Sequence, residues 1–309
     1  MIHTILGAGG SIGNPLAFEL LKGTGKVRLV SRSNYSIPGA ESFKADISSY
    51  EEVLNSVKDS DVVYLCAGLA YDVKVWRELW PKIMQNAIDA CKKVNAKLIF
   101  FDNVYMYGKV DGRMTETTPY NPCSKKGEIR AEIARLLEDE MKQNNIKAII
   151  ARSADLYGPY ATKNSVPYVL AIANLMKGKK AQWLVDVNKI HSFSYTMDCA
   201  KAITLLSNRE ECYNQVWHMP TYNPGITGKT FIELAAKEIG VAPEYTVLKK
   251  WMVKMVGLFN KTVGESYEML YQSEFDYYFD STKFNEFFNF KPTAYPEGIH
   301  ETIEFPGNK

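Results

Sequence analysis

Residues 1–13 read MIHTILGAGGSIG, and the order of two textures within them decides the fold. Ile2 to Leu6 is a short apolar run of strand length. Glycines follow at once, at positions 7, 9, 10 and 13. Glycine adopts the backbone angles of a tight turn and lets main-chain N–H groups approach an anion closely. A helix that starts from such a turn brings its positive N-terminal end to the same place. Strand, glycine loop and helix in succession therefore predict a pyrophosphate cradle at Gly7, Gly9, Gly10, Ser11, Ile12 and Gly13. The plainer alternative is a tight turn that holds no ligand.

The segments beyond it keep the same rhythm. Strand-like runs recur at 26–30 (KVRLV), 61–67 (DVVYLCA), 96–101 (AKLIFF) and 147–151 (KAIIA). Helical spacing separates them at 15–22, 50–57 and 75–94. After Cys123, the run SKKGEIRAEIARLLEDEMKQ sets Ile129, Ile133, Leu136, Leu137 and Met141 on one stripe of a helix. Alternation of this kind implies a parallel sheet covered on both faces. The expected class is α/β: a Rossmann-type doubly wound parallel sheet with a smaller, mainly helical C-terminal substrate lobe. Residues 1–165, with about 191–218, form the nucleotide domain; 166–190 and 219–309 form the lobe, interleaved with it.

Charge excludes some partners. Lys plus Arg number 37 against 35 Asp plus Glu, and a net charge of +2 gives no reason to expect nucleic acid or an acidic membrane. No apolar run approaches the roughly 18 residues of a membrane span. The first residues enter a strand without the charged head and apolar core of an export signal, so a cytoplasmic protein is expected. Five cysteines without a C-x-x-C pair are expected to be reduced thiols. The histidines, at 3, 191, 218 and 300, lack metal-ligand spacing, and no metal is expected.

Gly7, Gly10 and Gly13, spaced as G-x-x-G-x-x-G, resemble the glycine motif of the short-chain dehydrogenase/reductases, in particular their extended, epimerase/dehydratase branch. The similarity continues along most of the chain. Ala45-Asp46-Ile47 resembles the family's adenine-edge acid. DSDVVYLCAG (59–68) resembles the strand whose end, here Cys66, Ala67 and Gly68, lines the cofactor ribose. ARSADLYGP (151–159) is similar to R-x-x-N-x-Y-G-P, with Asp155 in place of Asn. HSFSYTMDCAKAI (191–203), FDSTKF (279–284) and KPTAYPEGIHETI (291–303) resemble later family segments. The resemblance implies hydride transfer at a carbinol or carbonyl carbon of a sugar nucleotide or small carbonyl compound. It also implies Arg152 and His191 as substrate contacts, and a possible homodimer through the long helices.

The second strand runs into VSRSN (30–34). An NAD site usually carries an acid there for the ribose 2′-hydroxyl. Ser31, Arg32 and Ser33 instead offer a guanidinium and two hydroxyls, which suit a 2′-phosphate. NADP(H) is therefore favoured over NAD(H); the alternative is a solvated arginine.

FFDNVYMYG (100–108) takes the place of the family's S-S-x-x-x-V-Y-G, which sets Asn103 at the substrate-oxygen position. The family's Y-x-x-x-K pair is absent: Asn121 lies four residues before Lys125 and Pro122 four before Lys126. Two readings stay open. In a modified reductase or epimerase, Asn103 polarises the oxygen, Tyr105 or Tyr120 handles the proton, and Lys126 or Lys125 holds the ribose. Asp102 is an alternative acid–base group if burial raises its pKa. In a catalytically silent NADP(H) sensor, Asp102 and Asn103 only satisfy backbone groups at a strand end.

Three further features have bland readings. Cys123 is taken as a buried thiol or helix-start residue. NPGITGKT (223–230) looks like a phosphate loop but lacks its first glycine, and is read as a loop entering a helix. Lys249, Lys250 and Lys254 are either pyrophosphate-binding cations or a solvated face.

Overall fold

The computed structural model describes residues 1–33 and 35–306. Seven parallel strands make the central sheet: Ile2–Leu6, Lys26–Ser31, Glu41–Lys44, Val62–Leu65, Lys97–Asp102, Ala148–Arg152 and Gln215–His218. In chain order, the sheet runs seventh, sixth, fifth, fourth, first, second, third. The order reverses between the first and fourth strands. Ligands bind outside the carboxyl ends of strands at such a switch point.

Both faces are covered, which is why the strands read as continuous apolar runs. On one face Val63, Leu65, Leu98 and Phe100 pack against Trp80, Ile83 and Met84 of helix Val73–Val94 and Ile129, Ile133 and Leu137 of helix Lys125–Lys142. On the other, Ile5, Leu29, Tyr64, Ile99 and Ile149 meet Leu16 and Leu20 of helix Gly13–Leu20 and Ile203 and Leu206 of helix Thr196–Ser207.

A separate core holds Tyr157, Tyr168, Trp183, Phe193, Phe231 and Tyr295, between helices Gly228–Ile239 and Tyr295–Glu304. Phe284, Phe288 and Phe290 lie in the chain's last third yet pack on the second face of the central sheet. Tyr168–Ile172 forms a wide π-helical turn that leads into the short helix Ala173–Met176. Residues 223–230 are the approach to helix Gly228–Ile239, with Thr227 accepting from Thr230 N at 3.1 Å. A Cβ on Gly228 would lie 2.2 Å from the Trp183 ring, so glycine there serves packing against the indole.

Candidate active site

The glycine loop is tight for a reason visible in its neighbours. Gly7 has φ +99, and a Cβ there would lie 2.5 Å from Ala67 Cα at the end of the fourth strand. A Cβ on Gly13 would lie 2.8 Å from Gly7 O, so only glycine lets the helix close on the loop. Gly7 N and Ala8 N both donate to Val30 O at 3.1 Å, which ties the loop to the second strand. Helix Gly13–Leu20 has no side-chain cap at Ile12. Asn14 N donates to Gly10 O at 3.1 Å and Pro15 has no N–H, so the N–H groups of Ile12 and Gly13 are the ones left to face an anion. Above Gly68 there is open space. Narrow backbone, uncapped helix end and open approach together fit a dinucleotide.

Around the expected ribose and adenine positions, Ser31 Oγ accepts from Tyr35 N at 2.8 Å, and Arg32 and Ser33 are exposed. Asp46 accepts from Ser48 N at 2.9 Å and Ser48 Oγ at 2.8 Å. Those bonds, with help from the nearby Arg32 guanidinium, hold its carboxyl below the usual carboxylate range. Ile47 O accepts from Asn86 Nδ2 at 3.1 Å. Burial pushes the Cys66 thiol up to about 12. Ser11 Oγ donates to Asn164 Oδ1 at 2.8 Å, a bond that reaches across to the second half of the chain.

At the end of the fifth strand the structure corrects one expectation. Asp102 is fully enclosed and lies in register with Arg152 on the sixth strand. Arg130 Nε donates to its Oδ1 at 2.8 Å and Arg130 Nη2 reaches the same oxygen. Asp102 is the counter-ion of two buried guanidinium groups, not a free acid–base group. It also accepts from Asn103 N at 2.8 Å.

Arg152, expected at the substrate, has no exposed surface either. Its Nη1 donates to Tyr107 Oη at 2.9 Å, its Nη2 donates to Tyr120 Oη, and Glu138 Oε1 lies 3.5 Å away. Burial opposes its charge, but Tyr107, Tyr120 and Asp102 hold its pKa above the ordinary arginine value. Tyr120 is thus committed to Arg152 and Glu138, which removes it as the proton donor. Tyr107 Oη also meets His218 Nε2 at 2.9 Å, and His218 Nδ1 donates to Asp280 O at 2.7 Å. Burial first, then the Arg152 charge, drives His218 down to about 3, so it is neutral. The buried arginine is neutralised by Asp102 of the fifth strand and Glu138 of helix Lys125–Lys142.

Lys126 departs furthest from expectation. Its Nζ is wholly enclosed, 2.6 Å from Glu265 Oε2, 3.0 Å from Glu268 Oε1 and 2.9 Å from Glu265 O. All its donors are taken, so it does not hold a ribose in this conformation. Glu265 also accepts from Val73 N at 2.9 Å, and Glu268 from Lys125 N at 2.8 Å, clamping both helix ends beside the cleft. The Lys125 side chain is exposed. Cys123 is exposed rather than buried, because it sits one residue outside helix Lys125–Lys142, whose cap is Ser124.

Asn103 and Tyr105 remain at the cleft. Asn103 Oδ1 accepts from Tyr105 N at 3.0 Å, a side-chain turn that leaves its amide N–H donors free. The Tyr105 ring stacks on Trp76 with centroids 6.3 Å apart. Its phenol is pushed above its ordinary value by burial and then by the charge of Asp155. Tyr71, Tyr271 and Tyr277 are raised in the same way, with Asp155 among the causes for each. The charge of Asp155 thus contributes to the shift of all four phenols.

Asp155 also meets His191. His191 Nε2 lies 3.0 Å from Asp155 Oδ2, which sets the tautomer: Nε2–H donates to the carboxylate. The imidazole stacks on Tyr277 at 4.3 Å and 2°, and on Phe193 at 4.5 Å. Asp155 had a signal in the sequence, its replacement of the usual Asn. Glu265 and Glu268 were missed, although they are the first acids after twenty residues without one (245–264) and stand three apart, on one helical face.

Residues 3–217 match the Epimerase family, described as the NAD dependent epimerase/dehydratase family. Among solved structures, the chain resembles Thermus thermophilus UDP-glucose 4-epimerase in complex with NAD, with a TM-score of 0.79 at 19% identity over 98% of both chains. It resembles Bacillus cereus UDP-glucuronic acid 4-epimerase with UDP-glucuronic acid and NAD, with a TM-score of 0.81 at 19% identity over 99% and 98% of the two chains. For Bacillus anthracis dTDP-glucose 4,6-dehydratase in complex with NAD the values are 0.80 and 18%, over 99% and 96%. At such identities the likeness establishes the fold. No curated protein matches the chain significantly.

Proposed function

The chain belongs to the NAD dependent epimerase/dehydratase family, and on that premise we propose that it is an NADP-preferring oxidoreductase or epimerase acting on a carbinol or carbonyl carbon. The substrate class is a sugar nucleotide or small carbonyl compound. One observation carries the proposal. A glycine loop whose backbone suits a close-lying anion shares its sheet edge with an uncommitted amide, Asn103, and a partly buried phenol, Tyr105.

The dinucleotide would lie on Gly7, Gly9, Gly10, Ser11, Ile12 and Gly13, with its ribose and adenine near Ser31, Arg32, Ser33, Asp46, Ile47, Cys66, Ala67 and Gly68. Its nicotinamide supplies the hydride acceptor or donor. The chain's own groups handle the oxygen and its proton. Asn103 Nδ2–H donates to the substrate oxygen and stabilises charge developing there. Tyr105 keeps its proton at neutral pH and serves as a donor. Asp155 is held by His191 Nε2 at 3.0 Å. Arg32 and Ser33, with no acid at the strand end, support the preference for a 2′-phosphate.

Enclosure of Lys126 by Glu265 and Glu268 favours a second reading, a dinucleotide sensor without turnover. Replacing Tyr105 by Phe separates the two. In the enzyme, any carbonyl-dependent NADPH consumption falls at least about 100-fold while dinucleotide binding persists; in the sensor there is no turnover to lose.

A further inference from the structure

Residues 245–264, YTVLKKWMVKMVGLFNKTVG, hold four lysines and no acid, so this one segment carries more positive charge than the net +2 of the whole chain. The segment includes helix Lys250–Gly257. Val253 packs inward, but Trp251 is 68% exposed, Met255 53%, Leu258 70% and Phe259 89%. Trp251 and Met255 stand one turn apart on the helix and Leu258 and Phe259 follow in the turn at its end, so the exposed apolar side chains continue from the helix into that turn. Single exposed apolar residues are ordinary; a contiguous aromatic and aliphatic stripe marks a surface that meets something.

The lysines beside the stripe divide into two kinds. Lys250 is bonded to Glu274 at 2.5 Å and Lys261 to Asp72. Lys249 reaches only Val185 O at 3.5 Å, and Lys254 has no ion-pair partner among the described residues. Two unneutralised cations therefore flank an exposed Trp, Met, Leu and Phe.

We propose that this face docks on an anionic lipid bilayer, with Trp251, Met255, Leu258 and Phe259 entering the interfacial layer and Lys249 and Lys254 over lipid phosphates. Charge decides between occupants. A second copy packed across this stripe would repeat Lys249 and Lys254 near its own two-fold axis, where like charges repel. An anionic bilayer offers the opposite sign along with an apolar layer, and surface binding needs both contributions. The helix lies along the surface: no helix among the described residues is long and apolar enough to cross a membrane.

The test is co-flotation of the full chain with phosphatidylcholine vesicles, with and without a fraction of phosphatidylserine. The expected result is binding that requires phosphatidylserine and weakens with added salt. Lys249→Gln with Lys254→Gln lowers partitioning by roughly 25-fold, about fivefold per lysine. Leu258→Ser with Phe259→Ser, at exposed positions, removes binding while leaving the fold and any NADPH binding unchanged. No binding to either vesicle overturns the proposal. So does binding that neither variant pair alters, or a concentration-dependent dimer that Phe259→Ser abolishes.

Discussion

The ammonium of Lys126 is fully enclosed and lies 2.6 Å from the carboxylate of Glu265, 139 positions further along the chain. With Glu268 at 3.0 Å, it forms a three-charge cluster that ties residues 265–268 to the start of helix Lys125–Lys142. Breaking a buried pair leaves a charge without compensation, which costs more than the pair contributes. Lys126→Met is therefore expected to lose about 3 kcal/mol of stability. Urea unfolding measures it, and a loss under about 1 kcal/mol would show that Glu265 and Glu268 reach water.

Asp102 is expected to behave as a structural counter-ion. Asp102→Asn keeps the side-chain shape but leaves Arg130 and Arg152 without their buried anion, at a cost of about 3 kcal/mol. Dinucleotide affinity stays within about twofold, because the residue is enclosed and distant in role from the glycine loop. A variant of unchanged stability with lost turnover would restore Asp102 to the chemistry.

How legible was this in the sequence? Short-range order was: the glycine loop follows Leu6, and the strand runs at 26–30, 61–67, 96–101 and 147–151 became strands Lys26–Ser31, Val62–Leu65, Lys97–Asp102 and Ala148–Arg152. A parallel strand buried on both faces has a local signature. Ion pairing has none. Whether Asp102 titrates or merely balances Arg152 depends on a register between two strands about fifty residues apart. The same holds for Lys126, whose partners come from the far end of the chain. Net charge, a sum over the whole chain, is silent on local distribution such as the four lysines and no acid of 245–264.

Neutral His218 gives the fold a pH dependence with a defined sign. Its folded pKa is about 3, below the unfolded value near 6.5. Between those values the unfolded chain binds the extra proton, so stability falls as pH drops through that window. This group's slope approaches about 1.4 kcal/mol per pH unit. Thermal melts from pH 7 to pH 4 measure it, and His218→Gln is expected to flatten the profile. An unchanged slope would mean that His218 titrates normally.

Tyr105 should stay protonated well past neutrality, since burial and Asp155 both oppose its phenolate. Asp155→Asn removes the charge contribution, lowering the pH at which Tyr105 ionises. Ultraviolet difference titration of Asp155→Asn, with and without Tyr105→Phe, isolates that phenol. If the Tyr105 transition is unmoved by Asp155→Asn, Asp155 does not govern the phenol.

In the proposed dinucleotide site, Arg32 selects the 2′-phosphate. Calorimetric titration with NADPH and NADH, on the native chain and on Arg32→Ala, tests it most directly. Loss of a charge-assisted phosphate contact is expected to cost about 2 kcal/mol. Binding of NADPH should therefore be tighter than that of NADH and weaken roughly 30-fold in Arg32→Ala, with NADH affinity unmoved. Equal binding of the two dinucleotides would remove the NADP preference. Binding of neither would contradict the account.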